Sequence, residues 1–362
     1  MSEINAEFNF PPQSLNDWKE TATQELDGAD PFQKLTCDVN GIVVKPYYDV
    51  AEIPATETPY ALHSQYTEST SPRNWSNSPK IIVTDSNEAN AKALALLNSG
   101  ADGILFELTG DANPNTLLAN IELPYCNISF IANANSTSFI ESFHAFAQNK
   151  FDTSTIVGNF FYHENTHNDA TTARFKQWKN FRSAGIIISP HNDPAQELAQ
   201  TLAQVCQYID RSATKPDDVI NSTSFLLQAG TDFFLEIAKL KTLRYLWHQV
   251  ASAYGVTQPS PLFIHSLLPP FTKKEFQPNG NMIQQTSSSL ASILGGCNAI
   301  TLQPEEDNNT MMSRIALNVS TILREESHLA KVADPVAGAY YIEALTDQLA
   351  QKTWQQFQAL VK

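Results

Sequence analysis

The stretch KIIVTDSNEANAKALALLNSGADGILFEL, residues 80–108, has the pattern of a strand, a helix and a second strand. Its two short apolar runs, residues 81–84 and 104–108, are typical of strands buried on both faces. Asp85 is placed to cap the helix between them, and Glu88 stands three residues later, the spacing of a capping box. Because a helix separates the two strands, the stretch predicts a parallel strand–helix–strand unit.

The same rhythm continues through most of the chain. Apolar runs that predict strands occupy residues 81–84, 104–108, 128–132, 155–161, 185–189, 224–227, 262–265 and 298–302. Amphipathic segments that predict helices follow them, including a helix through Trp178. Eight such units in about 250 residues predict an α/β fold of the (β/α)8 TIM-barrel type. A doubly wound open sheet is the alternative, but the sequence contains neither of the glycine motifs that bind phosphate in such folds.

Both ends of the chain extend this barrel. Residues 1–79 are irregular, with a short helix predicted at 18–26, a β-prone run at 41–48 and a stretch rich in Ser, Thr, Pro and Asn from residue 51. We expect them to form an N-terminal arm and linker, which either lies on the barrel or docks on a partner. Residues 80–362 then form the barrel with a closing amphipathic helix that starts near Ile342.

The composition excludes several classes of function. The formal net charge is −15, so nucleic-acid phosphates and anionic membrane surfaces are poor partners. The four cysteines are far apart, which is typical of a reducing compartment and not of a disulfide framework. The N-terminus lacks the features of a signal peptide, and no apolar run is long enough to span a bilayer. These features predict a cytoplasmic protein.

Barrel enzymes act from the carboxyl ends of their strands, so polar residues there are the candidates for chemistry. The candidates are Glu107, Asn133, Tyr162, His163, Ser189, His191, Gln228, His265 and Gln303.

Three histidines among them have a chemical interpretation and a structural one. His163 and His167 are four apart, as metal ligands on a helix would be, but their polar surroundings favour a loop and no third ligand is near. His191 stands beside Asp193 and could act as a general base, although Asp193 followed by proline is also the pattern of a helix N-cap. His265 is expected at the end of strand seven, hydrogen-bonded within the barrel mouth. We therefore predict no metal site.

Another stretch, REESHLAKVADPVAGAYYIEALT at residues 324–346, is crowded with ionisable groups. It predicts the end of a helix near His328, a turn at Asp334-Pro335 and a reversal at Gly338 before the closing helix. These groups could form an active site, but a solvated helix end followed by a packed turn is the interpretation we favour. The stretch resembles a motif of the methylmalonyl-CoA mutase family.

The resemblance covers nearly the whole chain, including residues 196–209, 232–247, 288–304 and 314–335. It implies a TIM-barrel substrate domain and the adenosylcobalamin-dependent radical rearrangement that interconverts succinyl-CoA and methylmalonyl-CoA in propionate metabolism. Residues 89–108 are similar to the small subunit of the heterodimeric mutases, which lacks catalytic residues and binds no cobalamin.

Three departures from the catalytic members of that family point to the small subunit. None of the eight histidines follows an aspartate by two residues, so the cobalamin-binding motif is missing and we expect no cobalamin-binding domain. Pro190 stands before His191 where catalytic members have a tyrosine–histidine pair. Only a trace of the upstream substrate-binding run survives at residues 72–75. We therefore assign no catalytic, cofactor-binding or metal-binding residue, and His163, His191 and His265 stay as candidates only.

The resemblance thus predicts the small subunit of a heterodimeric methylmalonyl-CoA mutase, inactive alone and stabilising a large catalytic subunit that works with adenosylcobalamin. When isolated, the chain is expected to self-associate through the surface meant for that partner. One alternative is an acyl-CoA mutase barrel that acts with a separate cobalamin-binding chain. Another is a diverged barrel lyase or hydrolase that uses His163, His191 or His265.

Overall fold

The computed structural model describes residues 14–52, 74–163, 169–269, 280–306 and 309–362. In these residues the strands are β1 (Cys37–Val39), β2 (Ile42–Val44), β3 (Ser76–Asn77), β4 (Lys80–Val83), β5 (Gly103–Leu108), β6 (Asn127–Ala132), β7 (Val157–Tyr162), β8 (Phe181–Ile187), β9 (Thr223–Gln228), β10 (Phe263–Leu268) and β11 (Ala299–Leu302). The helices are α1 (Leu15–Glu25), α2 (Pro31–Leu35), α3 (Ser86–Asn98), α4 (Pro114–Leu117), α5 (Thr137–Lys150), α6 (Asp169–Phe175), α7 (Pro194–Arg211), α8 (Pro216–Ser222), α9 (Phe233–Ala253), α10 (Gly280–Gly295), α11 (Thr310–Glu325) and α12 (Tyr340–Leu360).

Nine parallel strands form the main sheet, in the order β3-β11-β10-β9-β8-β7-β6-β5-β4. The two end strands, β3 and β4, are consecutive in the chain and are separated only by Ser78 and Pro79, so they are two halves of one barrel strand. The first half pairs with β11 and the second with β5. The sheet therefore closes on itself as an eight-stranded barrel surrounded by helices, which confirms the predicted TIM-type fold.

The seam of the barrel is held by hydrogen bonds on both sides of this split strand. The Ser78 N–H donates to the Ile300 carbonyl at 2.9 Å, and the Leu105 N–H donates to the Pro79 carbonyl at 3.0 Å. Arg324 reinforces the seam from α11, because its guanidinium lies 2.7 Å from an Asp102 carboxylate oxygen and 3.2 Å from the Trp75 carbonyl.

Alternation along the strands divides the apolar side chains between two cores. Outward-facing residues such as Phe106 and Phe130 pack against the helices. Inward-facing residues meet in the lumen, where Leu105, Ile131 and Phe161 form a small apolar cluster with Leu226. The barrel is therefore filled along its axis by side chains, as barrels of this size are.

Some element boundaries differ from the sequence prediction. The first barrel strand begins at Ser76, within the segment predicted as arm and linker, because its amides pair with β11. Strand β8 begins at Phe181 instead of residue 185, and helix α6 ends at Phe175 instead of reaching Trp178. Strand β10 extends to Leu268, so His265 lies in the middle of the strand and not at its end.

An extra layer covers one side of the barrel. Helix α12 packs on both α7 and α9, and the antiparallel hairpin of β1 and β2 packs on this group of helices. Ile42 of the hairpin lies in one buried cluster with Ala195 of α7 and Leu345 of α12. The hairpin of the N-terminal segment thus packs against helix α12.

The stretch at residues 324–346 forms a packed turn on the outside of the barrel, as we favoured. Helix α11 ends at Glu325, and Gly338 has a φ of +75° directly before α12. The Asp334 side chain is only 4% exposed, and its carboxylate accepts a hydrogen bond from the Lys241 ammonium at 2.7 Å. The Glu343 carboxylate accepts from the Gly338 N–H at 3.2 Å. Two of its ionisable groups, Asp334 and Glu343, therefore fix the chain reversal.

Among the described residues, no helix combines the length and apolar character needed to cross a membrane.

Candidate functional site

The mouth of the barrel is the natural place for a site, since the carboxyl ends of the eight strands converge there. Because side chains alternate between the two faces of a strand, the residues two positions after the lumen residues Leu105 and Ile131 also face inward, one layer nearer the mouth. The next inward-facing side chains are Ile82 of β4, which is 49% exposed, and Glu107 of β5, which is partly exposed. Gln228 at the end of β9 is exposed as well. The mouth is thus open to solvent and mixes apolar and polar groups.

One ion pair lies within this mouth. The Lys80 ammonium is 2.9 Å from a Glu107 carboxylate oxygen, and both side chains are partly exposed. Each charge is therefore neutralised by the other, so neither is presented alone to a bound molecule. The pair gives the mouth no net charge, and we see in it no free general acid or base.

His265 does not reach the mouth. It is 0% exposed, its Nε2 lies 2.8 Å from the Thr301 hydroxyl, and its ring packs edge-on against Phe161 with 5.9 Å between centroids. Burial lowers the pKa of His265 to about 3, so the imidazole is neutral at physiological pH. A base in this position is sealed from any substrate at the mouth.

His191 lies on the loop between β8 and α7 and is exposed. Its Nδ1 accepts a hydrogen bond from the Asp193 N–H at 2.9 Å. The Asp193 carboxylate caps α7 by accepting from the Ala195 N–H at 3.0 Å, and Pro194 occupies the first turn. The predicted N-cap is confirmed. Asp193 also pairs with Lys352 of α12 at 2.8 Å. Burial by itself would raise the pKa of the Asp193 carboxyl, but its hydrogen bonds with Lys352 and Ala195 outweigh burial and lower this pKa.

The other histidine candidate, His163, follows β7, whose last residue Tyr162 faces outward. Tyr162 is buried in the aromatic core between barrel and helices, and this burial raises the pKa of its phenol. His167, the second member of the proposed metal pair, lies outside the described residues. Within the described part of the chain, no three His, Cys, Asp or Glu side chains are grouped as a metal site would need.

Three further candidates, Asn133, Gln303 and Ser189, follow strands β6, β11 and β8. Asn133 donates to the Leu108 carbonyl at 2.7 Å and accepts from the Asn135 N–H at 2.9 Å, so it shapes the turn after β6. The Gln303 carbonyl accepts from the Gln285 side chain at 2.6 Å. Ser189 is exposed on the loop that also carries His191. Asn133 therefore shapes its own loop, the main chain of Gln303 is tied to α10, and Ser189 is open to solvent.

The sequence did not predict a buried ionic triad beneath two loops of the mouth. The Lys239 ammonium lies 3.0 Å from Glu197 and 2.9 Å from Glu236, with each side chain 5% exposed. Burial disfavours the charged lysine, but the two carboxylates outweigh it and raise its pKa. Burial has the dominant effect on Glu236 and raises the pKa of its carboxyl.

This triad holds the loops after β8 and β9. Glu197 accepts from the His191 N–H at 2.9 Å, and Glu236 accepts from the Gly230 N–H at 2.8 Å. The Lys239 ammonium donates to the Gln228 carbonyl at 3.4 Å. In the sequence, the only signal for it was a glutamate in the first turn of each of two helices, with a lysine three residues after the second. The triad is a positioning device, because Lys239 pairs with both carboxylates and each carboxylate holds a backbone amide of one loop.

Comparison with known proteins shows to which family this sequence is similar. A sequence model of the family described as methylmalonyl-CoA mutase matches residues 171–362, more than half of the chain. The methylmalonyl-CoA mutase small subunit of Porphyromonas gingivalis is 27% identical over 393 residues, a comparison that covers 96% of this chain and 63% of the relative.

Two further relatives match the chain over shorter regions. The small subunit of Streptomyces virginiae is 36% identical over 196 residues, which covers 51% of this chain and 32% of the relative. The methylmalonyl-CoA mutase of Escherichia coli is 34% identical over 166 residues, which covers 43% of this chain and 23% of the relative. The chain thus spans less than two thirds of the length of these relatives. The match of more than half of the sequence to the family model shows that the chain belongs to the methylmalonyl-CoA mutase family.

Proposed function

We propose that this chain is the barrel part of a mutase small subunit, and that it stabilises a large catalytic subunit without carrying out the reaction itself. The observation that carries the proposal is the mouth of the barrel. His265 is sealed in the lumen, His191 is engaged with the N-terminus of α7, and the Lys80–Glu107 pair is self-neutralised. The small subunits that match this chain support the same assignment.

The cofactor in this proposal is adenosylcobalamin, carried by the large subunit of a heterodimer that interconverts succinyl-CoA and methylmalonyl-CoA. Its chemistry is the homolysis of a cobalt–carbon bond, which starts a radical rearrangement. Ile82, the Lys80–Glu107 pair and Gln228 supply no imidazole, and His191 on the adjoining loop is hydrogen-bonded to the N-terminus of α7, so we assign no corrin-binding residue to this chain. We assign no step of the reaction to this chain. The same proposal places the complex in the cytoplasm and in propionate metabolism.

We propose further that the N-terminal segment provides part of the contact with the large subunit. Helix α1 has no buried residue. Its Trp18 contacts Phe32 and Tyr47 at centroid distances of 5.5 and 5.0 Å, and Leu15 and Leu35 nearby in the chain are each more than a third exposed. An aromatic group of this kind on an otherwise unburied helix is suited to an interface.

The proposal is tested by co-purifying the chain with the large mutase subunit of the same organism and assaying each alone and the pair. We expect a one-to-one complex, with mutase activity in the pair and none in this chain. Trp18→Ala should weaken the complex at least tenfold, since truncating a central interface aromatic costs about 2 kcal/mol or more.

The matched control is Tyr125→Ala, which removes an aromatic side chain that is 88% exposed on a different part of the surface. It should leave the affinity unchanged. Failure to form a complex would refute the proposal. Turnover of an acyl-CoA by this chain with only a separate cobalamin-binding chain would also refute it, and would establish the alternative mutase arrangement.

A further inference from the structure

The middle of the barrel lumen is lined by polar side chains. Asn159 precedes the lumen residue Phe161 by two positions on β7, and His265 lies between Phe263 and Leu267 on β10, both of which pack on the lumen cluster. Strand alternation therefore places Asn159 and His265 in the lumen. Both are 0% exposed, so the hydrogen-bonding needs of their polar atoms have to be met inside the barrel.

A first chain of hydrogen bonds starts at Asn159. Its side-chain N–H donates to the Ser129 hydroxyl at 3.0 Å, and this hydroxyl donates to the Asn127 side-chain oxygen at 3.2 Å. The Asn127 amide then donates to the Ser76 hydroxyl at 3.4 Å. Every donor in this series of hydrogen bonds points away from Asn159. Its Oδ1, which can only accept, has no hydrogen-bond partner among the described residues.

A second chain starts at His265. The Thr301 hydroxyl donates its single hydrogen to the Ser78 carbonyl, so toward His265 it can only accept. The hydrogen between Thr301 and His265 Nε2, 2.8 Å apart, therefore belongs to the imidazole. A neutral imidazole carries one N–H, which leaves Nδ1 with a lone pair. In the part of the chain that the structure describes, nothing donates to this Nδ1.

The starting residues of these two series of hydrogen bonds both face the lumen near Phe161. The Phe161 ring contacts the His265 ring and lies two residues from Asn159. Ser224 lies in this region too. A Cβ atom placed on Gly185 would be 2.7 Å from Phe161 Cδ1 and also 2.7 Å from Ser224 Oγ, so both atoms lie beside Gly185. The buried Ser224 hydroxyl is likewise without a partner among the described residues. His265 and Ser224 thus lie beside the Phe161 ring, and Asn159 stands on the same face of β7 two residues before it.

We propose that the lumen contains a binding site for one water molecule, which donates to Asn159 Oδ1 and His265 Nδ1 and accepts from the Ser224 hydroxyl. Water matches this set because it supplies two donors and an acceptor, and buried waters make about three hydrogen bonds to polar groups of this kind. An ammonium ion would bring a buried charge, and none of these three groups is a carboxylate that could pair with it. The site joins strands β7, β9 and β10 across the lumen, and it does not depend on the proposed function.

The test counts long-lived internal waters in the full-length chain by magnetic relaxation dispersion of ¹⁷O-labelled water. Asn159→Leu removes one acceptor and places apolar volume beside it, so we expect the count to fall by one. Ser289→Ala is the control, because its buried hydroxyl already donates to the Gln285 carbonyl at 2.6 Å, and the count should not change.

A second measurement covers the case in which Asn159→Leu does not fold. In the unaltered chain, ¹⁵N spectra of the histidines should show His265 with its proton on Nε2 and with magnetisation transfer from water to the ring. An unchanged count in Asn159→Leu would overturn the site. A proton on Nδ1, or a ring with no transfer from water, would overturn it as well.

Discussion

His265 illustrates at the scale of one residue how burial decides chemistry. An accessible histidine at a barrel mouth is a candidate base, but here burial lowers its pKa to about 3 and a hydroxyl fixes its position. The unfolded chain binds a proton on this side chain below its ordinary value of 6.5, whereas the folded chain does not until the pH approaches 3. Folding stability therefore decreases as the pH is lowered from the ordinary value of 6.5 toward 3.

This linkage is measurable. Between about pH 6 and about pH 5, the wild type should lose about 1 kcal/mol more unfolding free energy than His265→Phe, which has no such group. Urea denaturation at the two pH values gives the difference. Ser266→Ala, a buried neighbour without an ionisable group, should keep the wild-type slope. Equal slopes for the wild type and His265→Phe would contradict the buried neutral imidazole.

At the scale of elements, the Glu197–Lys239–Glu236 triad connects helices α7 and α9 and the loops that precede them. Buried ion pairs contribute little compared with apolar packing, but removing one partner leaves uncompensated buried charge. Lys239 is the only cation that contacts these two carboxylates in the described part of the chain. The contact between α7 and α9 at this point therefore depends on the Lys239 side chain.

Lys239→Met should lower the unfolding free energy by about 3–5 kcal/mol, since it leaves two buried carboxylates together. The loss should shrink as the pH is lowered, because a carboxyl that takes up a proton no longer repels its neighbour. Lys176→Met is the control. Lys176 is exposed and pairs with Asp218 at 2.8 Å, so its loss should cost less than about 1 kcal/mol. A similar small loss for Lys239→Met would show that the triad is not closely coupled.

At the scale of the whole molecule, the barrel closes through one interrupted strand. Strands β3 and β4 contribute two and four residues, and Pro79 between them has no N–H to donate. The pairing of β6 with β7 extends over six residues of each strand without interruption. The seam is therefore the weakest line of the barrel, and the Arg324–Asp102 pair bridges it from outside.

Native-state hydrogen exchange should reveal this difference. The Ser76 and Ser78 amides, which donate to Asn298 and Ile300 at 2.9 Å, should exchange faster than the amides of β7. Arg324→Met should accelerate exchange at the seam further and leave β7 unaffected. Uniform protection around the barrel, or equal acceleration of β7, would contradict a local opening at the seam.

The sequence by itself determined the barrel. Eight short apolar runs alternating with amphipathic helices predicted the fold, because buried parallel strands and surface helices have different periodicities that a single sequence displays. The capping residues Asp85 and Asp193 were predicted correctly, since each depends on contacts within four residues. The packed turn at residues 324–346 was also predicted, although its buried partner Lys241 was not.

Only the tertiary structure decided which of the polar residues share a site. The triad joins Glu197 to Lys239 across 42 positions of the sequence, and the lumen brings the rings of Phe161 and His265 together from positions 104 apart. His265 looked like a mouth residue because the apolar run ended there, but hydrogen bonds to both neighbouring strands extend β10 beyond it. Periodicity reports which face of an element is buried, whereas the identity of the opposing groups is set by how the barrel closes.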